Sequence, residues 1–271
     1  MMERAKVTVQ SLADMKRRGR KIVSLTAYDH ATALLEDRAG VDVILVGDSV
    51  GMVVLGYENT IPVTLEEMVH HLKAVARARP RALLVGDMPF MSYQAGVSDA
   101  VRSAGRLVKE GGAEAVKLEG GRRMEAVIRA ILDAAIPVMG HVGLTPQSVH
   151  QFGGYRVQGK DPRDAGRLLE EARFLEECGC FAIVVEGVPW PLAQRITAAL
   201  SIPTIGIGAG PHCDGQVLVV NDMLGLADGF APRFVKKYAE VGQTMSRAFA
   251  EYIEDVRAGR FPDLEHSYPA E

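Results

Sequence analysis

The sequence predicts a single closed (β/α)8 TIM barrel spanning residues 1–271, with short peripheral segments at its ends. Three observations carry this. Short apolar, β-branched runs alternate with helical stretches from end to end. The runs are apolar on both faces, as strands of a parallel sheet covered by helices must be. There are eight of them in 271 residues, a length that suits one barrel of about 250 residues. An open doubly wound sheet is the competing fold, since periodicity alone does not distinguish the two.

The predicted strands are Ile22–Ala27, Val41–Gly47, Ala82–Gly86, Ala115–Leu118, Ile136–Gly140, Phe181–Val185, Ile202–Ile207 and Gln216–Val220. Between them, Leu65–Arg79 reads most clearly as helix. Thr64 precedes it and Glu67 follows three residues later, a capping box that satisfies free amides at the helix start. Further helices are expected at Asp99–Glu110, Arg122–Ala134, Arg163–Glu177, Pro191–Leu200 and Phe234–Arg257, followed by a peripheral tail from Arg260. No linker or charge run divides the chain.

Composition narrows the function. Hydrophobic residues at 48% and charged residues at 24% give a chain that can bury a core, which argues against disorder. The net charge of −3 removes the broad basic surface that nucleic acids or acidic membranes require. No uncharged apolar run reaches the ~18 residues of a membrane helix, and Met1 to Lys6 lacks the apolar segment of a signal peptide. The expectation is a cytoplasmic protein acting on small molecules. Three cysteines, Cys178, Cys180 and Cys213, suit buried thiols. A zinc site with His212 has the wrong ligand spacing.

The strand ends are the informative feature. They read Tyr28-Asp29, Gly47-Asp48-Ser49, Gly86-Asp87, Lys117-Leu118-Glu119, Gly140-His141, Glu186-Gly187, Gly206-Ile207-Gly208 and Asn221-Asp222. A barrel gathers all of these at one rim, where active sites of this fold lie. Asp48 and Asp87 each close a Val-Gly-Asp tripeptide on strands expected to be neighbours at about 4.8 Å. Two carboxylates at matched heights call for a cation or a shared proton between them; a divalent metal is the simplest answer, and hard oxygen donors suit Mg²⁺. Helix capping or a solvated pair is the alternative reading. Lys117 and Glu119, two apart on a strand, point the same way, either as a buried ion pair or beside a substrate's negative charge.

Glu186 ends an apolar run, so burial should raise its pKa and fit it for general-base work. Otherwise it pairs with Lys117 or Arg195. His141 is an accessory candidate for proton transfer or hydrogen bonding to substrate. The run Gly206-Ile207-Gly208-Ala209-Gly210 lacks the residues of a phosphate loop and reads as a tight turn.

Taken together, these residues resemble the ketopantoate hydroxymethyltransferase family. The resemblance rests on Leu25-Thr-Ala-Tyr-Asp29, Val46-Gly-Asp-Ser49, Gly86-Asp-Met-Pro-Phe90 with Ser92-Tyr93, Val116-Lys-Leu-Glu119, Gly140-His-Val-Gly-Leu-Thr-Pro146, Val185-Glu186 and Ile205-Gly-Ile-Gly-Ala-Gly210 with Asp214-Gly-Gln216. It extends from about Val7 to the tail at Phe261-Pro262 and His266-Ser267. It implies a (β/α)8 barrel that carries a one-carbon unit from 5,10-methylenetetrahydrofolate to 3-methyl-2-oxobutanoate, making 2-dehydropantoate for pantothenate and coenzyme A. It further implies that Asp48, Asp87 and Glu119 form the metal site for Mg²⁺ or another divalent ion. Asp48, Ser49, Asp87 and Lys117 would contact the oxoacid, Glu186 would accept the C3 proton, and the chains would assemble as a homo-oligomer, a decamer. Two readings compete. One is a Mg²⁺-dependent barrel lyase or mutase of the isocitrate lyase and phosphoenolpyruvate mutase group, whose Lys-Lys-Cys-Gly-His motif is missing here. The other is a non-catalytic ligand-binding barrel.

Overall fold

The structure, a computed structural model, describes residues 5–226 and 232–269. The ends of the expected N-terminal stretch and C-terminal tail, together with 227–231, lie outside the described residues. The chain divides into two compact units, 1–219 and 220–271.

The first unit is the barrel. Its strands are β1 (Ile22–Thr26), β2 (Val43–Val46), β3 (Leu83–Asp87), β4 (Ala115–Lys117), β5 (Val138–Gly143), β6 (Ala182–Glu186), β7 (Thr204–Ile207) and β8 (Gly215–Leu218). All pair in parallel, in sequence order, and β1 closes the ring against β8. The open doubly wound alternative is thereby excluded.

Side-chain alternation builds the interior. Val43 and Leu45, Leu83 and Val85, Ala115, Met139, Ala182 and Val184, Ile205 and Val217 form one buried apolar cluster inside the ring. Continuing the same rows two residues along each strand brings in Asp87, Lys117, His141 and Glu186. The polar layer is therefore the upper storey of the apolar core, built by the same period of two. Helices of the outer ring include Leu65–Ala76, whose Thr64 and Glu67 form the expected capping box. Leu72 in that helix is fully buried, and burying such a side chain is worth about 1.5–3 kcal/mol.

The end of the barrel opposite the polar layer is covered. Helix Val9–Arg17, capped by Thr8, sends Leu12 and Met15 into the apolar cluster beside Val7. Lys6 Nζ donates to the carbonyls of Pro80 and Ala82 at 3.2 and 2.7 Å, and Lys16 Nζ donates to Thr197 O, Ile202 O and Asp214. These ties seat the cover on the loops that enter the strands.

Several boundaries differ from expectation. Strand β5 runs on to Gly143 because His141 and Gly143 still pair with Val184 and Glu186 of β6. Strand β7 starts only after Pro203, which has no amide to donate. Residues 122–134 open with a 3₁₀ turn, Arg122–Met124, before helix Glu125–Asp133. The expected strand over 216–220 ends at Leu218, and Val220–Met223 is a helical turn of the second unit. In that unit the long helix is Val241–Arg257, not Phe234–Arg257. Residues 232–240 are held in turns instead, with Val235 N–H on Pro232 O and Tyr238 N–H on Met223 O. Helices Val9–Arg17 and His30–Ala39 were not expected.

Candidate active site

The C-terminal rim of the barrel collects the expected residues. Asp48, Asp87, Lys117, Glu119 and His141 are each at most 5% exposed, and Glu186 retains a small exposed fraction at its side chain. Charged groups are not buried in this number without partners or function.

Asp87 and Lys117 face each other in register across β3 and β4, and Lys117 Nζ lies 2.8 Å from both Asp87 oxygens. Glu119 Oε1 stands 4.0 Å from the same ammonium. The two Val-Gly-Asp tripeptides are one residue out of register, because Val46 pairs with Gly86. Asp48 therefore stands past the end of β2, one step beyond Asp87, where its backbone N–H approaches Asp87 Oδ2 at 3.4 Å. The matched heights expected from sequence become a staggered pair, and the carboxylates still adjoin. Next to it, Ser49 shares a 2.7 Å hydrogen bond with Tyr28 OH, and the Tyr28 carbonyl contacts His71 Nδ1 at 2.8 Å.

His141 lies between two carboxylates, with Nε2 3.3 Å from Glu186 Oε2 and Nδ1 3.6 Å from Glu119 Oε1. Neither contact has the directionality of a hydrogen bond, and Glu119 Oε1 and both ring nitrogens are buried without a bonded partner. Among the described residues neither Lys117 nor Arg195 forms an ion pair with Glu186, so the simple structural pairing expected as its alternative is not found. Gly143 fixes the approach of β5 to β6. Its φ of +99° suits glycine, and a Cβ there would fall 2.2 Å from the Glu186 carbonyl oxygen. At Gly208 and Gly210 the chain makes the turn expected of the glycine run, with Gly210 packed against Trp190.

Burial sets the protonation. It raises Glu186 to about 7, against which Lys117 acts in the lowering direction. It raises Asp48 to about 7 as well, reinforced by Asp87. Glu119 is pushed well above the carboxylate range by burial despite Lys117. Burial and Lys117 hold His141 well below the ordinary imidazole range, so it is neutral. Burial opposes the charge on Lys117, but Asp87, Glu119 and Asp48 together outweigh it and keep the ammonium charged.

Without a compensating cation the cluster is short of positive charge, since Lys117 alone faces four carboxyl groups. Asp48 Oδ1 accepts no hydrogen bond from any described residue, and with Asp87 it offers hard oxygens suited to a divalent ion. Among the described residues no three acidic, histidine or cysteine side chains form a complete cage. The donor set thus fits an ion that keeps positions open for substrate and water. Glu119 Oε2 is held by the backbone N–H of Gln147 at 3.0 Å, behind the pair. The cysteines are free and buried, and no zinc cluster forms with His212 among the described residues.

The sequence reading missed Gln147. It stands just past the quoted Gly140–Pro146 motif, on the 3₁₀ turn Pro146–Ser148, and its Nε2 donates to Asp48 Oδ2 at 2.9 Å.

The sequence model described as ketopantoate hydroxymethyltransferase matches residues 6–264. The chain belongs to the ketopantoate hydroxymethyltransferase family. It is 59% identical over 268 residues to the 3-methyl-2-oxobutanoate hydroxymethyltransferase of Moorella thermoacetica, covering 99% of this chain and 100% of that one. The protein of the same name from Geobacter metallireducens is 56% identical, over 97% of this chain and 98% of that one. Among solved structures, a phosphonopyruvate hydrolase in complex with oxalate and Mg²⁺ superposes with a TM-score of 0.62 at 13% identity, over 97% of this chain and 92% of that one. A 2,3-dimethylmalate lyase of the phosphoenolpyruvate mutase and isocitrate lyase superfamily superposes at 0.60 with 16% identity, over 96% and 91%. At such identities the chain shares the barrel with these two enzymes, and the likeness concerns the fold alone. The lyase reading weighed from sequence gives way to the hydroxymethyltransferase family.

Proposed function

We propose that the chain transfers a hydroxymethyl group from 5,10-methylenetetrahydrofolate to 3-methyl-2-oxobutanoate, yielding 2-dehydropantoate for pantothenate biosynthesis, at the acidic rim of its barrel. The transferase class and the pathway come with family membership. The observation that supports the residue roles is the charge layout. One carboxyl poised near neutrality, Glu186, is close enough to influence both Asp48 and Glu119, and a fixed ammonium, Lys117, stands against Asp87 and near Glu119.

In the reaction a C3–H bond breaks and a bond from C3 to the folate-borne methylene forms. Water supplies the hydroxyl as tetrahydrofolate departs. A divalent cation, Mg²⁺ in our reading, held by Asp48 and Asp87 would draw charge from the oxoacid carbonyl and acidify C3–H. Glu186 Oε takes the C3 proton, which its raised pKa allows it to hold and later release near pH 7. Neutral His141, 3.3 Å away, adds no charge beside Glu186 and is the accessory candidate for proton transfer or hydrogen bonding to substrate. Lys117, pinned by Asp87, places positive charge beside the oxoacid carboxylate and the oxyanion that develops. Ser49, aligned by Tyr28, offers a hydroxyl to the same substrate, and Glu119 would be the third carboxyl of the cation site.

Proton removal does not need the folate, which makes a decisive experiment. With Mg²⁺ in D₂O, the protein should exchange the C3 hydrogen of 3-methyl-2-oxobutanoate without methylenetetrahydrofolate. Glu186→Gln should slow this by about 10²–10⁴-fold while retaining substrate binding. Because the base must be ionised, the wild-type exchange rate should rise with pH up to about 7 and then level off. Exchange at the wild-type rate in Glu186→Gln would move the role of base to another group, His141 first.

A further inference from the structure

Gln147 joins the separate strand-end loops of the acidic rim through every polar atom of its side chain. Its Nε2 donates to Asp48 Oδ2 and to the carbonyl of Met88, both at 2.9 Å. Its Oε1 accepts from Tyr93 OH at 2.8 Å and from Gln94 Nε2 at 3.1 Å. Tyr93 OH in turn accepts the Glu119 backbone N–H at 3.1 Å, and its one proton has two acceptors, Gln147 Oε1 at 2.8 Å and the Glu119 carbonyl at 3.2 Å, of which Gln147 is the nearer. Gln147 is 6% exposed and Tyr93 1%. This arrangement removes the ambiguity of an amide. The Met88 carbonyl can only accept, so the amide atom beside it and Asp48 is Nε2, and the carboxylate cannot rotate without breaking that bond.

We infer that Gln147 is a positioning residue for the metal seat: oriented by Tyr93, it locks Asp48 by Oδ2 and leaves Oδ1 as the oxygen presented to a divalent cation. The inference rests on the reading that Asp48 and Asp87 hold that cation. Partners that orient a metal-binding carboxylate are typically worth about 10–100-fold in metal affinity. The Gln147 backbone N–H holds Glu119 Oε2, so a side-chain substitution at 147 leaves that contact in place.

The test is Mn²⁺ binding to the resting protein, followed by electron paramagnetic resonance with no turnover. Gln147→Met keeps length and volume while removing donor and acceptor, and it should weaken Mn²⁺ about 10–100-fold. Tyr93→Phe removes one of the two donors that hold the amide oxygen and should weaken it several-fold. Because the part of the Tyr93 effect that runs through Gln147 is already lost, adding Tyr93→Phe to Gln147→Met should cost less than Tyr93→Phe alone. Wild-type Mn²⁺ affinity in Gln147→Met, or fully multiplicative effects in the double variant, would overturn the inference. Should Gln147→Met fail to fold, Tyr93→Phe alone decides, with unchanged affinity counting against it. Asp48→Ala separates the two readings. If it too binds Mn²⁺ normally, the cation seat itself is misassigned; if it alone loses Mn²⁺, only the role of Gln147 falls.

Discussion

At the scale of single residues, the site is a matter of how charges share a dry space. Asp48, Asp87, Glu119 and Glu186 surround one ammonium, and burial pushes three of these carboxyls toward their neutral forms. In the proposed reading a cation at Asp48 and Asp87 would relieve that excess, so the two should act as one unit. Replacing either with Ala should lower Mg²⁺ affinity and turnover together, measured by calorimetry in the presence of 3-methyl-2-oxobutanoate. Unchanged affinity in both variants would remove the pair as the metal seat. These residues were legible in the sequence because each is an ionisable group that breaks an apolar strand at its end. Gln147 was not, since an amide after Thr145-Pro146 looks like any polar turn residue. Its meaning comes from a Tyr93 hydroxyl 54 positions away in the chain. The stagger of Asp48 against Asp87 was also hidden, because register between strands is set by closure of the ring.

At the scale of elements, the strands were read well and the short helices poorly. A strand buried on both faces announces itself by composition alone, as Val43–Val46 does. Helix His30–Ala39 does not, because the face it buries contains Glu36. Both oxygens of that carboxyl are buried without a hydrogen-bond partner, and burial, helped by Asp29, raises its pKa to about 8. In the unfolded chain it titrates near 4.5. The protonated form is favoured by folding, so its stabilising contribution is complete below about pH 4.5 and is lost as pH rises through about 8. Glu36→Gln stays neutral throughout. Urea unfolding of the wild type should therefore weaken more steeply between pH 5 and 8.5 than that of the variant, while Asp48 and Glu186 keep some slope in both. Parallel curves would show that Glu36 is ionised and paired in the native protein.

At the scale of the whole molecule, the barrel was legible because eight repeats of one unit leave few other closures. The second unit was less so. Helix Val241–Arg257 buries none of its residues within the chain, and Phe249 and Tyr252 are each 58% exposed. Apolar side chains in such a row are consistent with association of copies of the chain, and the net charge of −3 offers little repulsion against it. We expect a decamer in sedimentation at micromolar protein, and a fully active monomer would contradict the proposal.

The seal of Val7, Leu12 and Met15 across the lower end of the ring also has a kinetic consequence. Above it the ring is filled by the apolar cluster, so the acidic rim opens on its own side, and both substrates of the proposed reaction must enter from there in turn. The small oxoacid has to reach Lys117, at 4% exposure, before a folate many times its size stands in the opening. Departure then runs in reverse, with tetrahydrofolate first and 2-dehydropantoate last. Labelled 3-methyl-2-oxobutanoate bound beforehand should be trapped as product when chased with methylenetetrahydrofolate and excess unlabelled oxoacid. Equally efficient trapping of prebound methylenetetrahydrofolate would mean that the doorway imposes no queue.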